Sequence, residues 1–468
     1  MLLSALPAKI SDDKNLFLSI SLVFAIFLAF LGIIDELLTL GFVGLLVVIV
    51  VIAITWKYPI FAFLINIGLS YFGFFFVSRV LRQDIPLGVA VDGLHFFALF
   101  IFLIKGKLKG LETPVGIFII VWIGFVIIQA FNPHLPSITF WLIGFRSWIG
   151  FLVPFYLLYS FLRENREGIK VVVVCWLVCG FFGALYTMHQ EFFGYLPFEM
   201  NMIVSDEEKY NLLWTFGRFR KMGPFAGPTE AGIMMAINAL ISLGVIYSKG
   251  FRKRIKLGCS LVFIFSTMSM MYTGTRTATL IWIIGMLIFT VLTRDRILIM
   301  GCVVAFFLIG PVLIATGKGG AAVNVMLTAF DPDDPSLQVR LESQQEIREI
   351  LLAAPIGYGI GRNNNDITSI QPDSTYVWLA ILAGYIGLIL WLIFQYIIIN
   401  VGVSSLQGRE DENWINLKKS ILTVAIMIVI AQYPQVLFGY PTIKMMYIIC
   451  LAVLSLGSKD QMTKDIVS

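Results

Sequence analysis

YVWLAILAGYIGLILWLIFQYIIIN, Tyr376 to Asn400, contains no charged side chain. With its flanks it makes one apolar run near 373–399. As a helix, a run of roughly 27 residues rises about 40 Å, more than the ~30 Å hydrocarbon core of a bilayer. Similar runs lie near 16–34, 40–55, 59–78, 91–104, 114–130, 144–162, 170–188, 227–247, 257–273, 278–293, 297–315, 419–436 and 441–457. That makes about fourteen candidate spans. In lipid every backbone N–H and C=O must find a partner inside the segment, and none of these runs alternates as a barrel strand would. The expected fold is therefore all-α, a polytopic transmembrane helical bundle.

Composition agrees: 58% of the 468 residues are hydrophobic, 13% are charged, and mean hydropathy is +0.88. These values lie outside the range of soluble domains. One integral membrane domain is expected over 1–468. The opening MLLSALPAKISDDKNL places charge ahead of the first apolar run, unlike a removable signal peptide. Cys175, Cys179, Cys259, Cys302 and Cys450 all fall in apolar runs without zinc-ligand or paired extracellular spacing, so neither disulfides nor a metal is expected. The net charge of +5 reflects basic loops and does not call for nucleic acid.

Those loops orient the chain. Lys105, Lys107 and Lys109 share one, Arg163, Arg166 and Lys170 the next but one, then Lys249 to Lys256, then Arg294 and Arg296. By the positive-inside rule these ends are cytoplasmic, and an even number of spans puts both termini there. The two longest loops, 190–227 and 317–372, then emerge on the opposite face.

Five arginines break that rule: Arg146 in FWLIGFRSWIGF, Arg218 and Arg220 in WTFGRFRKMGPFAGP, Arg276 in MYTGTRTATL, and Arg340 in the long outer loop. Each alone could snorkel to headgroups or pair with an acid. Together, on one face, they suit a phosphate or diphosphate, because a guanidinium is always charged and offers a planar fork of donors. In the 317–372 loop, DPDDPSLQVRLESQQEIREILLAAP reads as an amphipathic interfacial helix opened by Asp334 and Pro335. The GYGIGRNNND that follows has glycines at 357, 359 and 361, which let the backbone pass close to a ligand or to a helix.

These blocks resemble the O-antigen ligase and Wzy-type polymerase superfamily, bacterial membrane glycosyltransferases with a GT-C-like helical fold. GRFRKMGPFAGPTEAG is similar to its Arg-x-x-Gly-x-Phe-x-x-Pro block, and TGTRTATL to its Ser-x-Ser-Arg block. VRLESQQEIREILLAAPIGYGIG with PDSTYVWLAILAGYIG is similar to its Arg helix, glycine turn and following span. The resemblance implies that Arg220 or Arg218, with Arg276, binds the diphosphate of an undecaprenyl-linked glycan. It further implies that Arg340 supports that site; Arg146, Gly359, Gly361 and Tyr376 complete the expected substrate-binding set. Where ligases of the family carry a His-Asn pair, this chain has Asp373-Ser374, a departure that favours polymerase over ligase.

The implied chemistry is inverting attack of an acceptor hydroxyl on the anomeric carbon, with leaving-group charge stabilised by the guanidiniums and no metal or cofactor. Asp373 is the first candidate base and Glu230 the second; Asp373 is equally well placed as a helix N-cap. Expected partners are the undecaprenyl-diphosphate-linked oligosaccharide, membrane lipids and a chain-length regulator, at the bacterial cytoplasmic membrane. Two other functions fit less of the pattern. One is a ligase passing glycan to lipid A core or protein. The other is a flippase or transporter, which would show inverted repeats and charges at mid-membrane.

Overall fold

The computed structural model describes residues 48–81, 87–215, 217–304, 347–362, 367, 372–407 and 413–457. The chain divides into two compact units at Tyr58 and Pro59. In the first, helix α1 (Val48–Lys57) closes with the Tyr58 N–H on the Ile54 carbonyl at 2.7 Å.

The second unit is a helical bundle. Its elements are α2 (Ile60–Phe74, extended by a π-helical turn Phe75–Val80), α3 (Leu87–Ile104), α4 (Pro114–Ile128), α5 (Ile138–Phe145) and α6 (Pro154–Glu164). Next come α7 (Gly168–Phe192), two short helices α8 (Pro197–Val204) and α9 (Glu207–Leu213), and the hairpin β1 (Trp214–Thr215) and β2 (Arg218–Phe219). Finally come α10 (Pro228–Tyr247), α11 (Lys253–Tyr272), α12 (Arg276–Thr293), α13 (Arg296–Val304), α14 (Thr375–Gln407), α15 (Ile415–Ala431) and α16 (Pro441–Ser455). Among the described residues, eight helices are long and apolar enough to cross a membrane, and three apolar helices are shorter. The expected run 16–34 lies outside the described residues, and the runs 40–55 and 297–315 are described only in part. The total of fourteen therefore stays an expectation.

Local sequence sets the helix starts. Proline opens α4, α6, α8, α10 and α16, where the N–H it lacks would have no helical partner. Thr113 caps α4 by accepting the Gly116 N–H at 3.0 Å. One expected span differs in form. The run 144–162 is the second part of a span 138–164 that breaks at residues 146–153, because Pro154 removes a helical donor and crowds the preceding turn.

Helix α10 is the centre of the bundle, buried along nearly its whole length and packed by α11, α12 and α15. The outer faces of α11 and α12 stay apolar and exposed at Leu261, Ile264, Leu280 and Leu287, the surface lipid requires. Sparse polar contacts tie the interior. The Asn238 Oδ1 accepts from the Tyr71 hydroxyl at 2.9 Å and the Trp176 indole at 2.8 Å, and Gln432 Oε1 accepts from the Trp391 indole at 2.8 Å. Such bonds contribute about 0.6–2 kcal/mol each between membrane helices.

Contacts between basic loops, Lys107 on Glu164, Lys170 over Trp414 and the Gly250 N–H on the Asn413 carbonyl, mark one end of the bundle. The other, the loop end, carries 190–227, the α11–α12 turn and the starts of α14 and α16. The 190–227 segment is folded, with a small core of its own from Ile203, Leu213 and Met222. Of the expected amphipathic helix, only 347–353 is described as helical, with Ile347 buried and Leu352 exposed; residues 334–346, including Arg340, lie outside the described residues.

The glycine turn enters the bundle. Helix α14 is interrupted at Gly384 (φ 69°, ψ −174°), which strands carbonyls inside a membrane-spanning segment. The Tyr358 and Gly359 N–H groups donate to the Ile381 and Leu382 carbonyls, both at 2.9 Å, and the Tyr385 N–H donates to the Pro355 carbonyl at 3.0 Å. Gly357 (φ 83°) and Gly384 lie back to back, and a Cβ on either would collide with the other's backbone. The break is thus filled by the chain's own main chain, the arrangement that lets irregular backbone exist at membrane depth.

Candidate functional site at the loop end

Three sequence blocks far apart in the chain meet at the loop end through a continuous set of hydrogen bonds. The β1–β2 hairpin pairs Thr215 with Arg218, and the Arg220 N–H extends the pairing to the Leu213 carbonyl at 2.8 Å. From there the Arg220 side chain reaches the α11–α12 turn, with Nε on the Thr273 carbonyl at 3.0 Å and Nη2 on Thr275 Oγ1 at 2.9 Å. Thr275 Oγ1 in turn donates to the Pro228 carbonyl at 3.0 Å, which ties in the start of α10. Arg276 is the first residue of α12. Beside it, Thr277 Oγ1 accepts from Gln435 Nε2 at 3.5 Å. The Gln432–Gln435 turn then holds the head of α14: the Thr375 N–H donates to the Gln432 carbonyl at 2.9 Å and Thr375 Oγ1 to the Gln435 carbonyl at 2.8 Å. Asp373 sits two residues before that anchor, exposed.

The electrostatics of Arg220 stand out. Burial lowers its pKa to about 10, the phenols of Tyr195 and Tyr440 oppose that, and the charge of Arg276 adds to it. It stays cationic at neutral pH. Among the described residues no carboxylate lies within ion-pair distance of it; its bonded acceptors are a carbonyl and a hydroxyl. A largely desolvated guanidinium beside a second one is a place where an anion is stabilised. Burial pushes the Tyr440 phenol up to about 12, so it is a protonated donor at the same spot.

Residues 261–392, which include Arg276, the glycine turn and Asp373, match the family model described as O-antigen ligase. This is an O-antigen ligase family region. No curated protein matches the chain. The resemblance carried by the sequence blocks is thereby supported over residues 261–392, and the eight long apolar helices among the described residues are those of a helical membrane protein.

The O-antigen ligase family region and its surroundings use the remaining expected residues in different ways. The structure distinguishes Arg220 from Arg218: Arg220 reaches the α11–α12 turn, whereas Arg218 stays in the hairpin within electrostatic reach of Lys221. Arg146 is engaged elsewhere at the loop end, its Nε on Asp92 Oδ2 at 2.6 Å. Glu230, the second candidate base, is buried and braced. It is 2% exposed, with Oε2 accepting the Ala226 N–H at 3.0 Å and Oε1 the Thr442 hydroxyl at 2.5 Å, which joins α10 to α16. The N-cap of α14 is Ser374, whose Oγ takes the Val377 N–H at 3.5 Å, so Asp373 is not needed there. Tyr376 spends its hydroxyl on the Val429 carbonyl at 2.8 Å. The Gly359 N–H, expected to face ligand, is used in the α14 break, and Gly361 packs against Phe140 and Gly144 of α5. Asn363 to Asn365 lie outside the described residues.

Two groups escaped the sequence reading. Arg79, fully buried, donates through Nη1 to Glu199 Oε1 at 2.8 Å and the Gly223 carbonyl at 2.7 Å, and through Nη2 to the Phe225 carbonyl. Glu199 also accepts from Gln190 at 3.0 Å and the Tyr186 hydroxyl at 3.0 Å. This network pins the segment bearing Arg220 onto α2. The second group is Asp92 with Lys444. A lone lysine one turn into the apolar run TIKMMYIIC was the available signal.

Proposed function

We propose that the chain polymerises undecaprenyl-diphosphate-linked oligosaccharide repeat units, with its loop end facing away from the cytosol at a bacterial cytoplasmic membrane. The observation that carries this reading is Arg220: a mostly buried guanidinium, bonded to neutral oxygens and adjacent to Arg276, where two sequence blocks meet. A diphosphate held there becomes the leaving group when an acceptor hydroxyl attacks the anomeric carbon. Negative charge grows on it as the glycosidic bond breaks, so fixed guanidiniums favour the transition state over the ground state. Tyr440 adds a neutral donor to a phosphate oxygen. Asp373, exposed at the mouth of α14 and tied through Gln435 to the Arg276 turn, is the remaining candidate for accepting the hydroxyl proton.

Under this reading the fixed guanidinium charge takes the place of a divalent cation, and transfer proceeds in chelator. The test is incubation of purified protein with a defined polyprenyl-diphosphate oligosaccharide, with and without chelator, followed by product sizing. Multimers that disappear on Arg276→Ala in a protein of unchanged melting temperature support the proposal; normal polymer from that variant sinks it.

A ligase reading is favoured by the family description itself. It uses the same donor and the same arginines, and Asp373-Ser374 in place of His-Asn weighs against it. Cells lacking the protein separate the two: accumulation of single lipid-linked repeat units marks a polymerase, whereas free lipid-linked polymer marks a ligase.

A further inference from the structure

The loop end holds a second cationic group, built from three elements that do not carry Arg220 or Arg276. Arg146 in the break after α5 has its Nε on Asp92 of α3, and its side chain is still 48% exposed. Its Nη2 lies against Gly88, where a Cβ would collide with it, so a glycine is what admits the guanidinium at that position. Lys444 of α16 places Nζ 5.5 Å over the ring of Phe151, in the same break, within electrostatic reach of both Asp92 and Arg146. Among the described residues, two cations therefore share one carboxylate. The surplus charge sits near the end of an apolar bundle, where an unbalanced cation is costly unless an anion joins it.

The first turn of α16 links this group to the other. Tyr440 and Lys444 are four residues apart, on one helical face, with the Lys444 N–H on the Tyr440 carbonyl at 3.2 Å. Tyr440 is coupled to Arg220, and Lys444 to Arg146. Resting on the polymerase reading above, the count of anions becomes informative. A polymerase joins two molecules that each carry a polyprenyl diphosphate, and both diphosphates must be held while one sugar attacks the other.

We infer that Arg146 and Lys444 form a second diphosphate subsite, holding the acceptor lipid while Arg220 and Arg276 hold the donor. Asp92 positions Arg146 and keeps the affinity moderate, so that the acceptor lipid leaves when it must.

The experiment is a titration of the full-length protein, in phosphatidylcholine nanodiscs, with farnesyl diphosphate, counted by native mass spectrometry. Two molecules per chain are expected. Lys444→Met or Arg146→Gln should leave one, and Arg276→Ala should then remove that one as well. Asp92→Asn should tighten the second site several-fold, a gain that a merely structural role would not give. In turnover, Lys444→Met should raise the KM for the acceptor at least tenfold with little change in kcat. If Lys444→Met does not fold, Arg146→Gln and Asp92→Asn carry the test. One molecule per chain, unaffected by changes at Lys444, Arg146 and Asp92 but lost with Arg276→Ala, overturns the second subsite and leaves the donor pocket standing. Binding indifferent to Arg276 overturns the polymerase reading itself. Equal filling of the second site by phosphatidylglycerol identifies a general headgroup site and also overturns the inference.

Discussion

Arg79, fully buried, and Arg220, partly buried, stand at the same end of the bundle, and their partners could hardly differ more. Arg79 meets a carboxylate and two carbonyls, and the carboxylate is itself bonded by Gln190 and Tyr186. Every charge there is answered inside the protein. Arg220 meets a carbonyl and a hydroxyl, with Arg276 close enough to depress it further. Burial of a guanidinium therefore says little until its partners are counted. A neutralised one holds segments together; one with no carboxylate beside it among the described residues is, under the proposed function, the group that meets the diphosphate. The two are connected in this chain: the Arg79 network fixes Gly223 and Phe225, a few residues from Arg220, so Arg79 sets where Arg220 stands.

The largest effect should come from breaking the neutralised pair. Arg79→Ala leaves Glu199 buried without its cation, a change that costs about 3–5 kcal/mol. Folded protein recovered from membranes should fall sharply, measured by fluorescence size-exclusion, and Arg79→Met with Glu199→Leu should recover much of it. If Arg79→Ala is instead well folded and inactive, the contrast drawn above is wrong and Arg79 belongs with the binding groups.

Next comes Arg220→Lys, which keeps charge but loses the fork that bonds Thr273 and Thr275. Activity should drop about 100-fold, the scale of removing one preplaced donor to developing charge, while melting temperature barely moves. The pH profile sharpens the test. The burial that lowers the arginine to about 10 would also push an ammonium at that position below its ordinary value. Diphosphate affinity of the variant should then fall with rising pH earlier than that of the native protein, which stays flat until about 10. Matching profiles would show that Arg220 does not touch the anion.

Gly357→Ala tests the filled break in α14. An alanine at φ 83° is strained, and its Cβ meets the Gly384 nitrogen; a loss of about 1–3 kcal/mol is expected, read as a lower melting temperature. Unchanged melting would mean that residues 355–359 are not lodged in the helix break.

How much of this was legible beforehand follows from the range of each signal. The helical, membrane-spanning character of the described runs was readable because hydrophobic run length is local. Arg220 and Arg276 drew notice because charge on the less basic side of a membrane protein stands out against its background, and the structure brings their two blocks together. Non-local pairings were not readable. Arg79 and Glu199 are 120 residues apart, and nothing near either one names the other. The glycine turn showed that backbone would come close to something, but identifying that something as α14 required knowing that α14 breaks at Gly384. That break is tolerable only because the turn fills it. Glu230 illustrates the remaining limit: nothing near it in sequence names its partner Thr442, 212 residues on.

The smallest expected effect isolates what burial contributes. At the basic end Lys107 and Glu164 form an ion pair at 3.0 Å, nearly the 2.8 Å of Arg79 and Glu199, yet their side chains are 51% and 41% exposed. Separation is thus almost constant between the pairs while solvent access changes from none to half. In water-like surroundings the Coulomb gain is largely cancelled by hydration and by the entropy of two long side chains, which leaves 0 to about 1 kcal/mol. Lys107→Gln should accordingly leave melting temperature and activity within error, and added salt should change neither. A loss as large as that of Arg79→Ala would mean that distance and not desolvation governs both pairs, and the distinction between Arg79 and Arg220 would lose its physical basis.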